Sequence, residues 1–144
     1  MILCDVNVYL HAMLAASEYH ARCKAELESV LTPDSGQTLA VASSIMASVV
    51  RIATHPRIFK PAARACDVFE FIETILQNPS VVRIAPQTRH WRIYRDLVNT
   101  HGLTGSDTTD AWLAALALEH ACEWWTTDRG FARFDGLAWR CLLD

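Results

Sequence analysis

The sequence predicts an α/β fold, with a central parallel sheet of four to five strands covered by helices on both faces. Three observations lead there. Short apolar runs alternate along the chain with stretches patterned on a helical period, and such alternation produces parallel strands joined by crossover helices. The first run, Met1 to Val6, is apolar except for one acid near its end, as in a strand buried on both faces. Ala111 to Leu118 is eight apolar residues in succession, so the helix carrying it is apolar all round and belongs inside.

In order along the chain, the strand at Met1–Val6 leads into a helix from about Val8. A second helix from Glu18 carries Tyr19, Cys23, Leu27 and Val30 on one stripe, and Thr32-Pro33-Asp34-Ser35-Gly36 ends it. Gln37 to Val41 is the second strand; Ser43 or Ser44 is placed to cap a third helix with Ile45, Val49, Ile52 and Ala53 on its apolar side. Pro61 is expected to open a fourth helix striped by Ala62, Ala65, Phe69, Ile72 and Leu76, closed by Asn78-Pro79. Val81 to Ala85 is strand-like, and Pro86 starts a helical stretch through Val98. After His101-Gly102 and Gly105 the buried helix begins near Asp107. Glu123 to Thr127 and Ala138 to Leu143 are the last two strands.

The 144 residues are 51% hydrophobic and 20% charged, with five glycines and five prolines. That suits one globular domain over residues 1–144 and excludes disordered, collagen-like and low-complexity classes. The longest stretch without a charge, Ser35 to Val50, is sixteen residues studded with polar groups, short of the ~20 apolar residues that span a bilayer. No membrane association is expected, and an N-terminus without Lys or Arg before Arg22 lacks a secretory leader's basic segment, so a cytoplasmic location is expected. Five scattered cysteines with no CxxC pair suggest reduced thiols rather than disulfides or a zinc site. The net charge of −3 hides an uneven distribution: Arg51–Cys66 and Ser80–Arg95 each hold four cations and no acid. The remainder carries five cations against sixteen acids, a basic rim around an acidic centre.

In an open parallel sheet, ligands bind outside the carboxyl ends of the strands. Asp5 ends the first strand, Asp128 follows the EWWTT strand, and Asp110 stands in the first turn of the buried helix before it. Gathered carboxylates stay ionised only with cations between them, and hard oxygen ligands without His or Cys clusters point to Mg²⁺ or Mn²⁺. Each acid also has a plainer role: Asp107 as a helix cap, Asp110 as a partner of the helix dipole, Asp128 as a turn former. An acid in the apolar first strand is the hardest to explain that way, since an unpaired buried charge costs several kcal/mol.

DVNVYL, RIATHPRIF, DAWLAALALEH and TTDRGFARFDGL, in this order over nearly the whole chain, resemble the PIN-domain ribonucleases, specifically VapC-type toxins of bacterial toxin-antitoxin pairs. The resemblance implies a three-layer α/β/α PIN-like domain and a Mg²⁺-dependent endoribonuclease, with Asp5, Asp110 and Asp128 as catalytic metal ligands and Mn²⁺ as a substitute. It implies hydrolysis leaving 5′-phosphate and 3′-hydroxyl ends, a cognate antitoxin as partner, an RNA substrate and a homodimer. Two positions depart from the family pattern: Ser48 stands where a Glu is usual, three residues before Arg51, and Gly130 stands where many members have Asp. Asp107, one helical turn before Asp110, can restore a ligand.

Asn7, Ser48 and Thr127 are expected beside the metal ligands as orienting groups. Ser44, Ser48, Arg51 and His55 form one polar helix face, and Arg51, His55 and Arg57 are expected to meet substrate phosphate. The plainer reading of that face is a solvated surface with an ion pair. Two other functions compete: a PIN-fold binding protein without catalysis, given Ser48 and Gly130, and a Mg²⁺-dependent phosphatase with an aspartyl nucleophile. The phosphatase wants a second acid at position 7, where this chain has Asn7.

Overall fold

The computed structural model describes residues 1–144. The strands are β1 (Ile2–Cys4), β2 (Leu39–Ala42), β3 (Val81–Ile84), β4 (Glu123–Thr126) and β5 (Trp139–Cys141). The helices are α1 (Val6–Met13), α2 (His20–Leu31), α3 (Ser43–Ala53), α4 (Ala65–Leu76), α5 (His90–His101) and α6 (Asp107–Glu119). A 3-10 turn, Arg129–Arg133, lies between β4 and β5. All five strands pair in parallel in the order β3-β2-β1-β4-β5.

That order fixes the layers. The crossovers from β1 to β2 and from β2 to β3 move in one direction, and the one from β3 to β4 jumps back past β1. Right-handed crossovers then put α1–α4 on one face and α5–α6 on the other; α1 packs on α2 and α3, α3 on α4, and α5 on α6. The switch in direction falls between β1 and β4. One cluster of 32 buried residues fills both interfaces. α6 presents Ala111, Ala114, Ala115 and Ala117 fully buried, small side chains that let it lie close to the sheet.

Several boundaries differ from the sequence expectation, each for a local reason. α1 begins at Val6 rather than Val8 because the Asp5 side chain accepts from the Val6 N–H and caps it. α2 starts at His20, after the Ser17 hydroxyl accepts from the Tyr19 N–H at 3.2 Å and turns the chain into the helix. Neither Ser43 nor Ser44 caps α3; Ala42 holds the cap position in an extended conformation, with no side-chain bond. α4 starts at Ala65, not Pro61, because the Ala63 N–H donates to the Ala53 carbonyl at 2.9 Å and ties the intervening segment to the end of α3. The inward stripe of α4 is therefore Val68, Ile72 and Ile75, and Phe69 is 49% exposed. α5 starts at His90 because Gln87 and Arg89 donate their N–H groups to the Glu119 carboxylate at 2.8 and 2.9 Å instead of to a helix.

Candidate active site

Residues Cys4 and Trp125 are in register across the β1–β4 pair, so the chain leaves both strands at neighbouring points on the carboxyl edge. The Asp5 N–H donates to the Trp125 carbonyl at 2.8 Å, and its carboxyl stands opposite Thr126. Asp5 is 7% exposed. Its Oδ1 accepts from the Val6 N–H at 2.7 Å, and its Oδ2 from the Thr126 hydroxyl at 2.6 Å and Asn7 Nδ2 at 3.0 Å. The same hydroxyl accepts from the Asp128 N–H at 3.0 Å. Thr126 thereby links the two acids that end the two central strands.

Asn7 lies beside Asp5, as expected, and its Oδ1 accepts from the Thr127 N–H at 3.2 Å. The orienting threonine is a correction: Thr127 contributes only its backbone, and the fully buried Thr126 contributes the hydroxyl. Side chains alternate along a strand, so the β1–β4 register turns Thr126 toward Asp5. The signal available in the sequence was the Thr-x-Asp spacing, in which a threonine hydroxyl accepts from the N–H two residues on.

Asp128 is exposed and caps the 3-10 turn, its Oδ1 accepting from the Gly130 N–H at 2.7 Å. A Cβ at position 130 would sit 3.0 Å from that oxygen, so glycine leaves the carboxylate room to fold back. Asp110 and Asp107 share the first turn of α6, and Ser106 rather than Asp107 holds the cap position. Both acids meet a residue that motif reasoning passed over. Arg133 Nη2 lies 2.8 Å from Asp110 Oδ2 and 3.7 Å from Asp107 Oδ1.

Electrostatics join these groups into one site. Burial pushes the Asp5 carboxyl up to about 6 against its hydrogen bonds, and the charges of Asp110 and Asp128 push the same way. Burial also raises Asp110; Arg133 opposes that, while Asp128 and Asp107 add to it. Two of the four carboxylates, Asp110 and Asp107, thus face one guanidinium. No three of the four converge into a closed metal cage, but Mg²⁺ keeps several waters and takes one or two carboxylates, so an open all-oxygen edge suits it.

The α3 residues are not joined to the acids by any hydrogen bond or ion pair. Ser48 Oγ donates to the Ser44 carbonyl at 3.0 Å within its own helix. Arg51 is exposed and forms no ion pair, and His55 Nδ1 accepts from the Arg57 N–H at 3.1 Å. A groove of about 990 Å³ runs between α3, α4 and β3 past Met46, Phe69, Ile72 and Ile84, and none of the four aspartates lines it.

Residues 2–137 match the family model described as PIN domain. The whole chain is 36% identical to a protein named VapC ribonuclease Mb2897, from Mycobacterium bovis, and covers 97% of it. It is 34% identical over 134 residues to Ribonuclease VapC25 of Mycobacterium tuberculosis, covering 93% of each chain. Among solved structures it is similar, with TM-score 0.71 and 16% identity, to VapBC2 from Rickettsia felis bound to a promoter DNA fragment, over 97% of this chain and 98% of the other. FitAcB from Neisseria gonorrhoeae matches with TM-score 0.65 and 21% identity over 99% of each chain. At such identities these two structures bear on the fold, and they share the three-layer α/β/α arrangement around a parallel sheet.

Proposed function

The chain belongs to the PIN domain family, with VapC ribonucleases among its relatives, and on that premise we propose that it is a Mg²⁺-dependent endoribonuclease acting as the toxin of a toxin-antitoxin pair. The observation that carries this reading is the meeting of Asp5, Asp110 and Asp128 at the β1–β4 switch point, where the charges of Asp110 and Asp128 raise the buried Asp5 carboxyl and that of Asp128 raises Asp110. Asp5 and Asp110 would hold the metal, with Asp128 and Asp107 completing the acidic edge in place of the glutamate that Ser48 replaces. When bound, Mg²⁺, or Mn²⁺ in its place, supplies Lewis-acid polarisation of the phosphodiester and makes water a better nucleophile.

The chain's own residues do the rest. Thr126, Val6 and Asn7 fix the Asp5 carboxyl in one orientation, so that ligand reorganisation is small. Asp128 Oδ2 and Asp110 Oδ1 accept no protein hydrogen bond, which leaves them for cation or water. Arg51, His55 and Arg57 would track the RNA backbone, a contact that weakens with salt. The matched VapBC structures support an antitoxin partner, and we extend the proposal to a homodimer working in the cytoplasm as one domain over residues 1–144. No helix is long and apolar enough to cross a membrane.

A second reading, a PIN-fold binding protein without catalysis, rests on Ser48, Gly130 and the open carboxylate geometry. Incubation with RNA in Mg²⁺, in Mn²⁺ and in EDTA separates the two. The nuclease gives 5′-phosphate ends in either metal and none in EDTA, and Asp110→Asn abolishes cleavage while keeping the fold. EDTA-resistant cleavage overturns the metal mechanism; Mn²⁺ binding without cleavage of any RNA favours the binding protein.

A further inference from the structure

Arg133 closes the 3-10 turn after Asp128, and that turn is pinned to the core by Phe131 and Phe134, which are 1% and 2% exposed. Its guanidinium lies over the Phe134 ring, 5.0 Å from the centroid. One of its five N–H donors is committed to Asp110 at 2.8 Å, and its Nε is buried with no hydrogen-bond partner. The aromatic ring behind it attracts the cation without holding it in one direction. A guanidinium so placed has one close ionic anchor in Asp110, a longer one in Asp107 at 3.7 Å, and an unpaired donor beside them.

A divalent cation approaching Asp110 meets this guanidinium as a rival for the same carboxylate, and two cations on one carboxylate repel. The planar fork of Arg matches phosphate as well as it matches carboxylate. We propose that Arg133 is an internal counter-cation for Asp110 and Asp107 in the metal-free protein, displaced by the divalent cation and then engaging the RNA phosphate beside the acids. It rests on the metal-nuclease reading above. Arg133 then positions substrate only once metal is loaded, so the metal-free site is partly neutralised and poor at holding RNA.

The test uses the full chain. Mn²⁺ is titrated calorimetrically into wild type and Arg133→Gln, and a 2′-O-methyl oligoribonucleotide, which resists cleavage, is bound in Mn²⁺ over a range of salt. The Gln variant should bind Mn²⁺ roughly two- to fivefold tighter, the magnitude of one partly exposed ion pair. Its RNA binding should weaken, with a log–log salt slope shallower by about 0.7, one phosphate on a single strand. Equal or weaker Mn²⁺ binding, or an unchanged salt slope, overturns the proposal. Should the Gln variant not fold, the ¹⁵N–H resonance of Arg133 Nε in wild type decides. It must move on adding Mg²⁺ and move again on adding the oligonucleotide, and a stationary resonance overturns the exchange. No Mn²⁺ binding by wild type removes the metal reading and this inference together, whereas binding that Arg133→Gln leaves unaltered removes this inference alone.

Discussion

Asp5 is the most deeply buried of the four acids, and Asp5→Asn measures how much stability its charge takes from the fold. Burial lifts its carboxyl from 3.8 to about 6, despite the bonds from Thr126 and Val6. Between those values the folded protein binds more protons than the unfolded chain, so stability falls as pH rises. The contribution is fully present below the unfolded value and is lost as pH passes the folded one. With about 1.4 kcal/mol per pKa unit, the ionised carboxylate costs roughly 3 kcal/mol at pH 8 and roughly 1 at pH 4.5. Asn carries no charge. The stability difference between variant and wild type should therefore move by about 2 kcal/mol in the variant's favour from pH 4.5 to pH 8. The net gain at pH 8 is smaller than 3, because an amide nitrogen in place of Oδ2 accepts from neither Thr126 nor Asn7, a loss of about 1–2 kcal/mol. Urea unfolding in EDTA, followed by fluorescence of the buried Trp124 and Trp125, reads both curves. If the two proteins change stability in parallel between these pH values, the burial argument is wrong.

Three further outcomes follow from the same contacts. Thr126→Val removes the hydroxyl that donates to Asp5 and accepts from the Asp128 N–H. It should destabilise by about 1–3 kcal/mol in urea unfolding, while Thr127→Val stays within about 0.5; equal effects would contradict the assignment. Glu119→Gln leaves one oxygen for the N–H groups of Gln87 and Arg89, so hydrogen exchange at one of these amides should quicken and stability drop by about 1–3 kcal/mol, and unchanged exchange at both rules this out. Mn²⁺ affinity should fall as pH is lowered through about 6, because the raised Asp5 carboxyl must lose its proton to bind metal. Calorimetry showing a flat affinity from pH 7.5 to 5 would remove Asp5 from the ligand set.

The sequence by itself determined the features that depend on near neighbours. Strand and helix types followed from periodicity, because a stripe or a continuous run decides what a segment can bury. Asp5, Asp110 and Asp128 were legible because each sits at a strand end or helix start, and in a parallel sheet those positions share one edge. Only the tertiary structure decided what touches them. Thr126 meets Asp5 across 121 positions of chain, and Arg133 reaches Asp110 across 23; no local pattern encodes either distance. The starts of α4 and α5 were misplaced for the same reason. Ala63 and Gln87 give their N–H groups to Ala53 and Glu119, and a backbone donor satisfied by a partner elsewhere in the fold is free not to enter a helix.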